Sequence, residues 1–159
     1  MNLFGMMESS GSAMQAERMR AEVVAANMAN AETTRTASGG PYKRQHVVFA
    51  ANPGEPSFAN TLNGVAGLAP LQPLQPMGSA GLPQGGVHIA QVVEDPAPPL
   101  RRYDPGHPDA GPDGYVAYPD INPVTEMVDL MGATRAYGLN ASAVQAEKGM
   151  IASALEIAK

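Results

Sequence analysis

Cysteine and tryptophan are both missing from the 159 residues. Without a thiol the chain can form no disulfide, offer no thiol nucleophile and build no thiolate metal site, although disulfide-free chains occur in either redox compartment. Large core-filling side chains are also scarce. Only three Phe and five Tyr are present, so the 44% hydrophobic fraction leans on Ala and Met. That composition disfavours a compact enzyme. Basic residues number ten against fifteen acidic ones, for a formal net charge of -5. They form no stripe, which argues against nucleic acid as a partner. Long apolar runs are lacking too, so no membrane-spanning helix is expected. The opening Met1–Glu8 has no cationic region followed by an apolar run, and no cleaved signal peptide is expected there.

Glycine (17) and proline (15) are plentiful, about a fifth of the chain, and their placement divides it into three. Residues 1–34 form an N-terminal helical arm. Ser12, Ala16, Met19, Val23, Ala26 and Asn30 recur at steps of four and three, with Ser9 or Ser10 as the expected N-cap and fraying near Asn27 and Asn30. Residues 122–159 form a long C-terminal helix, opened by Asn122 as N-cap and Pro123 as first helical residue. Its apolar seam runs through Met127, Leu130, Thr134, Tyr137, Ala141, Val144, Lys148, Ile151, Leu155 and Ala158, and a seam sustained this long argues for a coiled coil. Residues 35–121 are a small β-rich middle. Strands are expected at 42–49, 86–93, 100–103 and 114–118, making one small sheet at most. Within it, residues 52–85 are too poor in large side chains to offset their ordering entropy and read as a loose Pro/Gly-rich insertion. The expected fold is therefore mainly α, with the terminal helices pairing as a coiled coil around a β-rich middle.

Chemistry is hard to find. The G-x-x-x-x-G-K-[ST], G-x-G-x-x-G, G-x-S-x-G and H-E-x-x-H patterns do not occur. His46, His88 and His107 have no paired ligand spacing. The polar run from Tyr103 to Gly114 holds Asp104, His107 and Asp109, which a small metal-dependent enzyme would use on a hard cation. Asp-Pro, His-Pro and Asp-Gly are turn formers first, and turns are the reading preferred here. No catalytic residue, cofactor, metal or small-molecule substrate is expected. Asn27, Asn30 and Asn140 are read as register-setting polar groups of a helical bundle rather than catalytic amides. Both helices are marginal on their own: Gly132, Gly138 and Gly149 each cost about 1 kcal/mol against Ala. Partner burial reverses this, because covering a Leu such as Leu130 or Leu155 contributes roughly 1.5 to 3 kcal/mol. The arms are expected to order on assembly.

Several stretches carry a resemblance. Ser12–Met14 through Arg18-Met19, then Val23–Thr34, resemble the N-terminal motif of the bacterial flagellar rod and hook family of axial proteins. Gly40–Gln45, Tyr103–Pro108, Gly114–Pro119, Asn122–Asp129, Arg135–Tyr137, Asn140 and Lys148 resemble a proximal rod member of that family. Met28 stands where the family's Asn-Leu-Ala-Asn motif has Leu, a nearly volume-conserving change. The 52–85 insertion is longer than typical. The resemblance implies a structural subunit of the basal-body rod, exported unfolded by the flagellar type III machinery without a cleaved signal and assembled in the periplasm. It also implies contacts with other rod subunits and with the base of the rod at the export apparatus and MS ring. A torque-bearing shaft needs long interdigitated seams. The candidate subunit contacts are Ala16, Met19, Val23, Ala26, Asn27 and Asn30 on the first arm, with Met127, Leu130, Tyr137, Asn140, Val144, Ile151 and Leu155 on the second. Other expectations kept open are a different rod or rod-adaptor subunit and a free-standing coiled-coil adaptor.

Overall fold

The structure is a computed structural model that describes residues 3–52 and 85–157. The loose insertion expected at 52–85 lies almost entirely outside the described residues. Two long helices frame the chain: α1 spans Leu3–Ala29 and α2 spans Pro123–Ile157. Between them come β1 (Gln45–Ala51), β2 (Val87–Glu94), β3 (Leu100–Tyr103) and β4 (Tyr115–Tyr118). Two long helices with a small amount of strand make the chain mainly helical, as its composition indicates. The strands form two separate two-stranded antiparallel sheets, β1 with β2 and β3 with β4, where a single sheet was expected. Each strand of β3–β4 is four residues long and closes on its own partner.

Helix α1 begins six residues earlier than its expected cap. Ser9 and Ser10 are interior residues, and the Ser9 carbonyl accepts the Ser12 hydroxyl at 2.8 Å. Met, Leu and Glu are good helix formers, and Gly5 alone does not interrupt them. The other end is capped rather than frayed. Asn30 returns its backbone N–H and its side-chain amide to the Ala26 carbonyl, and its Oδ1 accepts the Thr33 hydroxyl at 3.2 Å. The opening of α2 is as its sequence dictates. Asn122 Oδ1 accepts the Val124 N–H at 3.0 Å, its carbonyl accepts the Glu126 N–H, and Pro123 occupies the first helical position, where no N–H is needed.

The helices pack along each other. Asn27 meets Glu126 while Arg20 meets Asp129, so they run antiparallel. At 1.5 Å per residue α2 is about 53 Å long and α1 about 40 Å, so α2 is the longer partner by roughly 12 Å. The buried faces differ from the apolar seams. On α1 the buried positions are Ala16, Val24 and Asn27, and Met19 faces outward. On α2 they are Glu126, Ala133 and Glu147, each one residue before Met127, Thr134 and Lys148 of the expected seam. A pattern of apolar residues assigns glutamate to solvent. Here two glutamates occupy the inner face, and the helix is rotated accordingly.

The β1–β2 pair lies against α1. Its register runs from Gln45↔Glu94 to Ala51↔Val87 with a shift between Val48 and Phe49. The Val87 N–H donates to Ser12 Oγ at 3.1 Å, which ties the strand to the helix. Gly86 makes this approach possible. Its φ is +74°, and a Cβ there would lie 2.0 Å from Ser12 Oγ. The β3–β4 pair carries the Asp104–Gly114 turns at its tip. Asp109 there accepts the Thr34 hydroxyl at 2.8 Å and faces Arg35 at 3.8 Å, tethering the tip to the segment that leaves α1.

Candidate functional site

Three segments converge where α1 ends, β1 starts and α2 begins. Asn27 is placed there by the last turn of α1 and is 1% exposed. Its amide nitrogen donates to the Gln45 carbonyl at 2.9 Å and to Glu126 Oε2 at 3.1 Å. Its Oδ1 accepts the Gln45 N–H at 2.9 Å and the Tyr42 hydroxyl at 3.2 Å. All four hydrogen-bonding positions of the amide are filled, the condition under which a buried Asn is tolerated. The partners are backbone, phenol and carboxylate. The partner from the other helix is the Glu126 carboxylate.

Glu126 lies in the first turn of α2 and is equally buried. Arg44 Nε donates to its Oε1 at 2.6 Å, and a terminal nitrogen of the same guanidinium contacts that oxygen. Charge assistance makes this the strong contact of the site. One turn further along, Asp129 sits 3.4 Å from Arg20 of α1 and 3.8 Å from Arg44. The two carboxylates of α2 are thus matched by two guanidiniums, one from α1 and one from the approach to β1. Burial pushes the Tyr42 phenol above its ordinary value, and the nearby charges of Glu94 and Glu126 push the same way. Beside these groups a polar cleft of about 260 Å³ is lined by Val23, Val47, Phe49 and the charged residues just named. At the outer end of β2, Asp95 is held below the usual carboxylate range. The Ala97 N–H is the main cause and a hydrogen bond from His46 at 3.1 Å adds to it.

The candidate contact residues separate into three groups. Ala16 and Asn27 are buried within the chain, and Asn27 serves the α1–α2 contact. Val23, Ala26, Asn30, Leu130, Asn140, Val144 and Ile151 are half-buried, and Asn140 returns its amide to the Ala136 carbonyl at 2.9 Å. Met19, Met127, Tyr137 and Leu155 are exposed. Apolar exposure on α2 goes further than the seam, to Val124, Val128, Met131 and Leu139. Glu126, Arg44, Gln45 and Tyr42 were missed as site residues. Their signal lay in the stretches Gly40–Gln45 and Asn122–Asp129, which carried the family resemblance without an assigned role.

Asp104, His107 and Asp109 do not form a ligand set. The His107 ring accepts the Asp109 N–H at 3.1 Å and Asp109 is taken up by Thr34 and Arg35. Among the described residues no three His, Asp or Glu side chains converge on a common point. The run from Tyr103 to Gly114 is therefore turn structure held by Asp104, Gly111 and Gly114 backbone hydrogen bonds.

Known proteins match this sequence along its full length. A family described as "Flagella basal body rod protein" matches residues 7–35, which are most of α1 and its cap. A second, described as "Flagellar basal body rod FlgEFG protein C-terminal", matches residues 113–157, which are β4 and α2. The flagellar basal-body rod protein FlgC of Bacillus subtilis is 38% identical, with all of both chains aligned. Its counterpart in Borreliella burgdorferi is 36% identical over 99% of this chain and 98% of its own. That of Salmonella typhimurium is 32% identical over the same shares. Both halves of the Asn27–Glu126 junction fall inside the matched regions, and with identity of this level along the full length the chain belongs to the flagellar basal-body rod proteins of the FlgC kind, structural subunits of the proximal rod.

Proposed function

We propose that the chain polymerises with other rod subunits through the outer faces of α1 and α2, winding with them as a coiled coil, and that the resulting shaft carries motor torque to the hook and filament. One observation carries this reading: a helix about 53 Å long presents Met127, Met131, Tyr137, Leu139 and Leu155 to solvent. Apolar side chains exposed along that length of one helix suit partner surfaces rather than water. A head-to-tail contact that does not close generates a filament from such subunits. The relatives' name supports the rod as the assembly in question. On this reading residues 1–34 and 122–159 are the polymerising arms and residues 35–121 the middle part displayed between them.

The same reading places assembly in the periplasm, at the base formed by the export apparatus and MS ring. The subunit arrives unfolded through the flagellar type III machinery, with no signal peptide removed. The lack of cysteine and the small apolar area that alanine- and glycine-rich helices can bury within one chain support passage as an unfolded thread. A cell lacking the corresponding gene, supplied with a chain carrying Met127→Ser, Tyr137→Ser and Leu155→Ser, tests it. The expected result is normal secretion of the variant into the periplasm, no rod in purified basal bodies and no swimming. Swimming at the wild-type rate would overturn the proposed interface.

A further inference from the structure

Glu17, Glu126 and Glu147 each hold a carboxylate oxygen out of water, and two of the three have a cation. Glu126 is paired with Arg44, and Glu17 lies 3.7 Å from Arg20 on the same helix. Glu147 has none. It is 3% exposed, and its Oε2 is buried with no hydrogen-bond donor among the described residues. The chain's own cations are badly placed to reach it. At 1.5 Å per residue Glu147 stands roughly 30 Å along α2 from Glu126, which in an antiparallel pair brings it level with Met6 of α1. From the start of the chain to Glu17 the sequence holds no Lys, Arg or His. The positions of α2 that share its face, Ala143, Val144, Met150 and Ile151, are uncharged. Lys148 projects about 100° around the axis and is exposed, while Arg135 is roughly 18 Å away along it. Neither sheet packs against α2, so no strand brings a cation. Burying a carboxylate without a counter-charge is costly, so this end of the α1–α2 contact is unfavourable in a chain by itself, in keeping with arms that order on assembly.

We propose that Glu147 is the docking point for a basic side chain of an adjoining rod subunit, which enters beside the first turns of α1 and supplies the missing charge. The proposal rests on the rod reading. Charge complementarity sets the chemistry of the partner, and an arginine suits it best. Its guanidinium is weakly hydrated and follows a carboxylate into a dry contact more readily than an ammonium does, while its apolar stem lies along the helices. A neutral or acidic side chain brought to the same place would leave Glu147 uncompensated, so the contact selects its neighbour as well as holding it.

A strain lacking the gene, supplied with the full chain or its Glu147 variants, tests this through secretion, incorporation into purified basal bodies and swimming. Glu147→Gln and Glu147→Leu should be secreted normally yet enter the rod at least about tenfold less well, since each leaves the neighbour's cation without a carboxylate. Glu147→Lys should not enter at all. A Glu147→Leu or Glu147→Gln chain that is incorporated as well as wild type would overturn the proposal and leave the rod reading intact. A wild-type chain that restores no rod would sink that reading and the proposal with it. The neighbour is found by a photo-cross-linker placed at Ala146, which is exposed beside Glu147. The adduct should join a second subunit at a segment containing Arg or Lys, and changing that residue to Glu should restore incorporation of Glu147→Lys. Adducts confined to the chain itself, or a charge swap that restores nothing, would equally overturn the docking point.

Discussion

Asn27 and Glu126 lie ninety-nine residues apart in the chain, meet at 3.1 Å, and are both 1% exposed. A neutral amide therefore carries the contact between the two terminal helices at their joined end, and it does so while holding the backbone of Gln45 with its remaining groups. The arrangement gives direction to a helix pair whose apolar contacts are small. Helices lined with alanine can slide on one another, whereas an amide with four filled positions accepts one alignment. The ion pair from Arg44 then supplies charge balance for a carboxylate that could not otherwise be buried.

Tyr42 should impose an alkaline limit on this junction. Its folded pKa is raised above 10.0, mainly by burial, so the neutral phenol is the form the fold prefers. Stability from this group is complete below pH 10 and is lost as pH rises through the folded value. Spectrophotometric titration should show a tyrosinate step from Tyr42 delayed beyond the ordinary phenol range, with helix loss accompanying it. In Tyr42→Phe the late tyrosinate step should vanish and the helix should persist to higher pH. An unchanged late step in that variant would assign it to another tyrosine.

Gly86 should tolerate no side chain. A Cβ there meets Ser12 Oγ at 2.0 Å, Ser12 Cβ at 3.0 Å and the Ser9 Cα at 3.3 Å, on a backbone whose φ is +74°. Gly86→Ala should lose about 1 to 3 kcal/mol in urea unfolding followed by circular dichroism. Ser12→Ala in the same chain should recover part of the loss, because it removes the nearest atom but not the positive φ. Equal unfolding midpoints for wild type and Gly86→Ala would mean that β2 does not press on α1 as closely as the geometry states.

Much of this fold is legible in the residues. Asn122-Pro123 announces the start of α2 and the 100–103 strand is found at its expected bounds. Small, flexible apolar residues at helical spacing announce two long helices. What escaped was the rotation of those helices, since Glu126 and Glu147 face inward where a search for apolar periodicity sends them outward. The site escaped for the same reason. Arg44 and Glu126 are charged residues 82 apart, and only tertiary structure shows that each neutralises the other. Ser9 as a cap failed because helix-forming residues precede it, and nothing local tells the helix to wait.

Leu130→Asp should separate export from assembly. Leu130 is half-buried on α2, beside Asp129 and one turn beyond Glu126, so an added carboxylate enters a region already holding two. Arg20 and Arg44 are committed to those two, and the third charge has no partner. The variant should be secreted at the wild-type level yet give no rod and no swimming. Normal motility would remove Leu130 from the packed seam.

The two faces of α2 should answer to different assays. Ala133 is fully buried and Met131, two residues earlier, is 67% exposed. Ala133→Met forces extra volume between the helices and should cost roughly 1 to 3 kcal/mol of monomer stability, with rod incorporation falling as a consequence. Met131→Ser alters a side chain that is two-thirds exposed, so its urea midpoint should stay within about 0.5 kcal/mol of wild type. On the proposed assembly surface it should nevertheless reduce incorporation into basal bodies, because the side chain lost is one that only a neighbour would cover. A Met131→Ser chain that is as stable and as well incorporated as wild type would clear that part of α2 of any role in polymerisation. Ala133→Met leaving stability unchanged would show that the helices are not in contact at Ala133, and the antiparallel pairing built on Asn27 and Glu126 would have to be redrawn.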